Sequence, residues 1–203
     1  MTYFISRIIF KVILKILFRF EVKGNENLPH KGPFIIASNH ASIMDPAVVG
    51  VACHIMPVTF MAKRELFDDR VLGSWVRAVG CIPVERDSGS FKPLKVAVQK
   101  LKKGKVLGIF PEGKRSLDGR LQEPQAGIGL LASKSGAPIV PVYVSGTGKG
   151  LAKGKKFKTP CKVTAHIGKI VDIRESTAFP GKKEIYESIG GKVMNAISRL
   201  KDE

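Results

Sequence analysis

Eight consecutive residues, Asn39-His40-Ala41-Ser42-Ile43-Met44-Asp45-Pro46, set a histidine five positions before a carboxylate. An apolar run, Phe34 to Ser38, precedes them and a helical pattern follows. On a continuous helix a spacing of five would hold His40 and Asp45 about 140° apart, so a turn must intervene. Pro46 disfavours the α region for Asp45 and itself suits the first helical position, so Asp45 is expected to be the N-cap of the following helix. A histidine at a strand end can then fold over the turn toward that carboxylate. The carboxylate would accept from one ring nitrogen and leave the other free to take a proton near neutral pH. The remaining histidines suit structural or solvated roles: His30 lies in a Pro/Gly turn, His54 ends an apolar helix and His166 falls within a strand.

The chain offers no G-x-S-x-G elbow, and Cys53, Cys81 and Cys161 occupy no recognisable nucleophile site. The proton is therefore expected to come from a substrate hydroxyl, in a direct transfer without a covalent enzyme intermediate. The three cysteines are far apart, with no CxxC pair and no histidine at zinc-ligand spacing, which points to a reducing compartment and no structural metal.

A second constellation is Gly108-Ile109-Phe110-Pro111-Glu112-Gly113-Lys114-Arg115-Ser116. It mimics a phosphate-binding P-loop, but Arg115 stands where the magnesium-binding Ser or Thr belongs. What remains is a turn at a strand end that presents Glu112, Lys114 and Arg115 together. Arg115 is suited to gripping a phosphate bidentately, while Glu112 would hold a hydroxyl or the arginine. Gly127-Ile128-Gly129 imitates a dinucleotide fingerprint without a preceding strand and reads as a helix start.

These groups need elements to carry them. The chain has 203 residues, 44% hydrophobic and 25% charged, which fits one folded domain with an appended helix and excludes global disorder. Strands are expected at Phe34 to Ser38, Val58 to Ala62, Cys81 to Val84, Val106 to Phe110, Ile139 to Val144 and Lys162 to Val171. Helices are expected at Pro46 to Met56, Glu65 to Val79, Phe91 to Lys102, Gly127 to Ser135 and Lys182 to Leu200. The alternation indicates an α/β fold: a single mixed, mainly parallel sheet flanked by helices.

Residues Tyr3 to Phe20 hold thirteen apolar side chains and Ser6, interrupted by Arg7, Lys11, Lys15 and Arg19. A step of four advances a helix by about 40°, so the four cations share an arc of roughly 120° and the rest of the cylinder is apolar. Cations this frequent disfavour a bilayer span, and no small-x-small cleavage site supports a signal peptide. The expectation is a helix lying in the headgroup plane of an anionic membrane, with its apolar side among acyl chains. The alternative is a helix packed on the protein's own core. Lys plus Arg at 34 against Asp plus Glu at 17 gives +17, which calls for a polyanionic partner. Basic stretches at 92–105 and 146–162 contribute to it. Nucleic acid is not expected, since aromatic residues are 7% and no recognition motif interleaves the lysines.

Four ordered blocks resemble the motifs of the glycerolipid acyltransferases, the 1-acylglycerol-3-phosphate acyltransferase family. They are N-H-x4-D, G-C-I-P-V-E-R at Gly80 to Arg86, F-P-E-G-x-R-S at Phe110 to Ser116, and I-V-P-V at Ile139 to Val142. The match covers about residues 25 to 170. The resemblance implies His40 as general base and Asp45 as its orienting partner. It implies that Arg86, Glu112, Gly113, Lys114, Arg115 and Ser116 bind the acceptor's phosphate and glycerol, and that Val140, Pro141 and Val142 shape the acyl-donor region. Residues 1–22 would be a membrane-associating helix and 23–203 the acyltransferase domain. The implied reaction moves an acyl group from acyl-CoA or acyl carrier protein to the sn-2 hydroxyl of a lysophosphatidate at the cytoplasmic face of the membrane, with no bound cofactor or metal. Lys114 replaces the usual threonine, Pro83-Val84 a more aromatic pair, and Gln125-Ala126 a frequent lysine; these departures bear on which acceptor is used. Another lysolipid acceptor, such as a lyso-ornithine lipid or a glycerol phosphate, fits the same site, and a non-catalytic basic module is the alternative of a different class.

Overall fold

Apolar runs such as Phe34–Ser38 do not alternate in polarity because both faces of the sheet they build are covered. The computed structural model describes residues 1–85, 90–150 and 161–202. Seven strands among them form one sheet in the order β1 (Glu21–Lys23), β7 (Thr164–Ile167), β6 (Ile139–Ser145), β2 (Ile35–Ser38), β5 (Val106–Ile109), β3 (Val58–Lys63) and β4 (Ile82–Val84). Every neighbouring pair is parallel except β6 with β7. One face packs against α1 (Thr2–Phe18) and α2 (Asp45–Ala52) through Leu14, Phe18, Val48, Val49, Ile36, Phe60, Val140 and Val142. The other packs against α5 (Lys92–Lys102), α6 (Gly127–Ser135) and α8 (Lys182–Arg199) through Leu101, Leu131, Ile189, Ile197, Ile35 and Leu107. The mainly parallel sheet flanked by helices is the expected architecture.

Several elements differ from expectation; the strand expected over Lys162 to Val171 forms only at Thr164–Ile167. The helix expected over Glu65 to Val79 is broken into α3 (Glu65–Asp68) and α4 (Arg70–Ala78), because the extended Asp69 caps α4 by accepting from the amides of Val71 and Leu72 at 3.0 and 2.7 Å. Helix α2 stops at Ala52, short of Met56. Strand β1 is unexpected; it is three residues long and joins the sheet edge through β7.

Helix α1 packs on the domain along one stripe and leaves another bare. Tyr3, Phe10, Leu14 and Phe18 face inward at helical spacing. The Tyr3 hydroxyl accepts from Val58 N at 3.0 Å, Trp75 Nε1 donates to Ser6 Oγ at 2.9 Å, and the Phe10 and Trp75 rings meet edge to face. Phe4, Ile5, Ile8, Ile9, Val12, Ile13, Ile16 and Leu17 remain exposed. Among the four cations assigned to a membrane surface, Arg7 is instead engaged by the protein itself: it donates to the His54 carbonyl at 2.7 Å and lies over the Phe4 ring. Lys11, Lys15 and Arg19 are exposed. Among the described residues no helix is long and apolar enough to cross a membrane.

Candidate active site

Loops at the carboxyl ends of parallel strands gather chemistry at one sheet edge. His40 leaves β2 there, and the Phe110–Ser116 loop leaves the adjacent β5. The His40 side chain is 13% exposed and Asp45 is fully buried. His40 Nδ1 lies 2.9 Å from Asp45 Oδ2, which also accepts from the amides of Ala41 and Ser42 at 2.7 Å each. An oxygen already serving two N–H donors assigns the Nδ1 contact as a donation from the ring, and Nε2 is left as the proton acceptor. Asp45 does not cap its helix as expected. It is the first helical residue, and its carboxylate reaches back to tie the turn that carries His40.

The backbone of His40 is clamped from the second loop. Its amide donates to Glu112 Oε1 at 2.8 Å, and its carbonyl accepts from Ser116 N at 2.7 Å. Glu112, 1% exposed, also accepts from Gln122 N through Oε2 at 3.2 Å. Burial pushes the Glu112 carboxyl above its ordinary value, and the amides of His40 and Gln122 partly oppose that shift. With an amide on each oxygen, Glu112 staples the two loops together. Ser116 is likewise turned inward and donates to Asp118 Oδ1 at 3.0 Å. Gly113 makes the turn at φ +69°, a conformation that other residues adopt only under strain. Lys114 is exposed and Arg115 half-buried, and neither forms an ion pair with a described carboxylate. Arg86 lies outside the described residues, as do most of the lysines of the basic 146–162 stretch.

Val140 and Val142 are buried in the core on the α2 side of β6. Pro141 opens on the opposite face, into a groove of about 640 Å³ that Lys192 and Arg199 also line. The three cysteines are free thiols; burial raises Cys53 and Cys81 above the usual thiol range, which suits inert core positions. Asn39 opens the N-H-x4-D block, which assigns it no role. Its side chain, 5% exposed, accepts from Val144 N at 2.7 Å and donates to Val144 O at 3.0 Å, continuing the β2–β6 pairing past the last strand residue.

The candidate site is thus a histidine oriented by a buried carboxylate at the carboxyl edge of a parallel sheet, with Lys114 and Arg115 on the neighbouring loop. The family described as Acyltransferase matches residues 19–145. The 1-acyl-sn-glycerol-3-phosphate acyltransferase of Bacillus subtilis is 35% identical over 151 residues, 73% of this chain and 74% of that one. The Streptococcus pneumoniae enzyme of the same name is 27% identical over 200 residues, 94% of this chain and 71% of that one. The crystal structure of the 1-acyl-sn-glycerophosphate acyltransferase PlsC from Thermotoga maritima superposes with a TM-score of 0.76 at 27% identity, covering all of this chain and 79% of that one. The chain belongs to the 1-acyl-sn-glycerol-3-phosphate acyltransferase family.

Proposed function

We propose that the enzyme transfers an acyl group from a thioester of coenzyme A or acyl carrier protein to the sn-2 hydroxyl of 1-acylglycerol-3-phosphate. The observation that carries this reading is the His40–Asp45 pair, whose Nε2 is left to accept a proton while the cation-bearing loop holds the same histidine by its backbone. His40 Nε2 takes the hydroxyl proton as the oxygen attacks the thioester carbonyl. The ester C–O bond forms, the C–S bond breaks, and the proton passes to the departing sulfur, leaving phosphatidate and a free thiol. Arg115, with Lys114 and Arg86, neutralises the acceptor phosphate. The bare apolar face of α1 lies among acyl chains, with Lys11, Lys15 and Arg19 on anionic headgroups at the cytoplasmic face, so the lysolipid need not leave its membrane.

Thiol release with acyl donor and lysophosphatidate tests the chemistry. His40→Ala is expected to lower turnover by about 10² to 10⁴ while leaving the fold intact. Near-normal turnover of that variant would refute the mechanism. Arg115→Ala is expected to raise the acceptor KM, and an unchanged KM removes the phosphate role. Lys114 in place of the family's threonine makes a panel of lysolipid acceptors, with products identified by mass, the test of acceptor identity.

A further inference from the structure

Phe110 opens the F-P-E-G-x-R-S block, directly after β5. On β5, Val106 and Gly108 face the α2 side of the sheet, because side chains alternate along a strand, and Phe110, the first residue past it, packs on that same side. At Gly108 a Cβ would sit 2.3 Å from Phe60 Cε1 and 2.8 Å from Val58 Cγ1, so the missing side chain is what admits the Phe60 ring. Phe110 lies nearly parallel to Phe60, with centroids 6.1 Å apart and planes at 15°. The His40 imidazole lies on Phe110, with centroids 4.0 Å apart and planes at 19°. Glycine backbone, Phe60, Phe110 and imidazole thus form one column.

We infer that Phe110 is a positioning residue that sets the plane of the His40 ring, with Phe60 as its backing. The inference rests on the reading of His40 as the base. Glu112 and Ser116 fix the histidine backbone and Asp45 fixes Nδ1. A single hydrogen bond at Nδ1 still allows the ring to tilt, and tilting swings Nε2 away from the acceptor hydroxyl. A flat ring against the imidazole face removes that freedom.

The test compares Phe110→Leu, Phe110→Tyr and His40→Ala by steady-state kinetics and by NMR of the His40 ring protons, whose signals the His40→Ala spectrum identifies. Phe110→Leu is expected to lower kcat by about 3- to 30-fold with the acceptor KM unchanged. Phe110→Tyr, which keeps the face, is expected to recover most of that loss. The His40 ring protons should lie upfield in the parent protein and in Phe110→Tyr, and move downfield in Phe110→Leu. Should Phe110→Leu not fold, Phe110→Met takes its place with the same expectations. A kcat within twofold of the parent for the aliphatic variant, equal losses in the leucine and tyrosine variants, or a raised acceptor KM with kcat intact would each overturn the inference. An active His40→Ala refutes the base itself, whereas an inactive His40→Ala beside a normal Phe110→Leu refutes only the role of Phe110.

Discussion

At the residue scale, the catalytic turn is held by partners far away in the chain. Asn39 bridges to Val144 across 105 positions with two hydrogen bonds inside the core. Asn39→Ala strands a buried amide and a buried carbonyl, each costing about 1 to 3 kcal/mol, so a loss of roughly 2 to 6 kcal/mol in denaturant unfolding is expected. A variant within 0.5 kcal/mol of the parent would mean that water satisfies Val144 equally well. The same distances explain what the sequence disclosed. His40 and Asp45 were legible because a spacing of five around a proline constrains them locally. Glu112 was legible as a residue of the site but its bond to the His40 amide was not, since that amide lies 72 positions earlier and no spacing rule reaches that far. The aromatic column was hidden for the same reason: it joins three strands that are neighbours only in the folded sheet.

At the scale of elements, α1 carries two faces with different duties. Leu14 is fully buried against the domain and Ile16 is 73% exposed. Leu14→Ala is expected to destabilise by about 3 to 5 kcal/mol. Ile16→Ser should change stability by less than about 0.5 kcal/mol, because a surface position has no contacts to lose. Thermal or urea unfolding distinguishes the two, and equal effects would contradict this division of faces. The sequence pattern revealed the helix and its cationic arc but offered membrane and core as alternatives. The structure packs one stripe on the core, leaves another apolar stripe bare, and pairs Arg7 with the carbonyl of His54. Elements with long apolar periodicity were legible throughout. Strand β1 was not, because Glu21-Val22-Lys23 is too short to show alternation and owes its conformation to β7. The break at Asp69 was masked by a helical pattern that continues on both sides of it.

For the whole molecule, charge and topology act together. Strand β1 begins where α1 ends, and its Glu21 aligns with Thr164, which aligns in turn with Ser145 at the end of β6. Strand β2 runs beside β6 and delivers His40 at that same edge. The Phe18 end of α1 therefore lies near the catalytic edge while its Tyr3 end reaches Val58 at the start of β3, and the net charge of +17 favours anionic surfaces. The apolar and ionic contributions separate with salt. Lys11, Lys15 and Arg19, at about 1 kcal/mol each near a charged surface, should give anionic over neutral vesicles a preference on the order of 100-fold at low salt. Raising the salt from about 0.1 to 1 M shortens the Debye length from about 10 to 3 Å and should erase most of that preference, while the apolar face keeps a residual affinity for both vesicle types. Ile9→Asp with Ile16→Asp should remove that residue of binding at every salt concentration. Cosedimentation measures all three. Binding to anionic vesicles that ignores salt would remove the cations from the interface, and neutral vesicles that never bind would leave the exposed isoleucines without a membrane role.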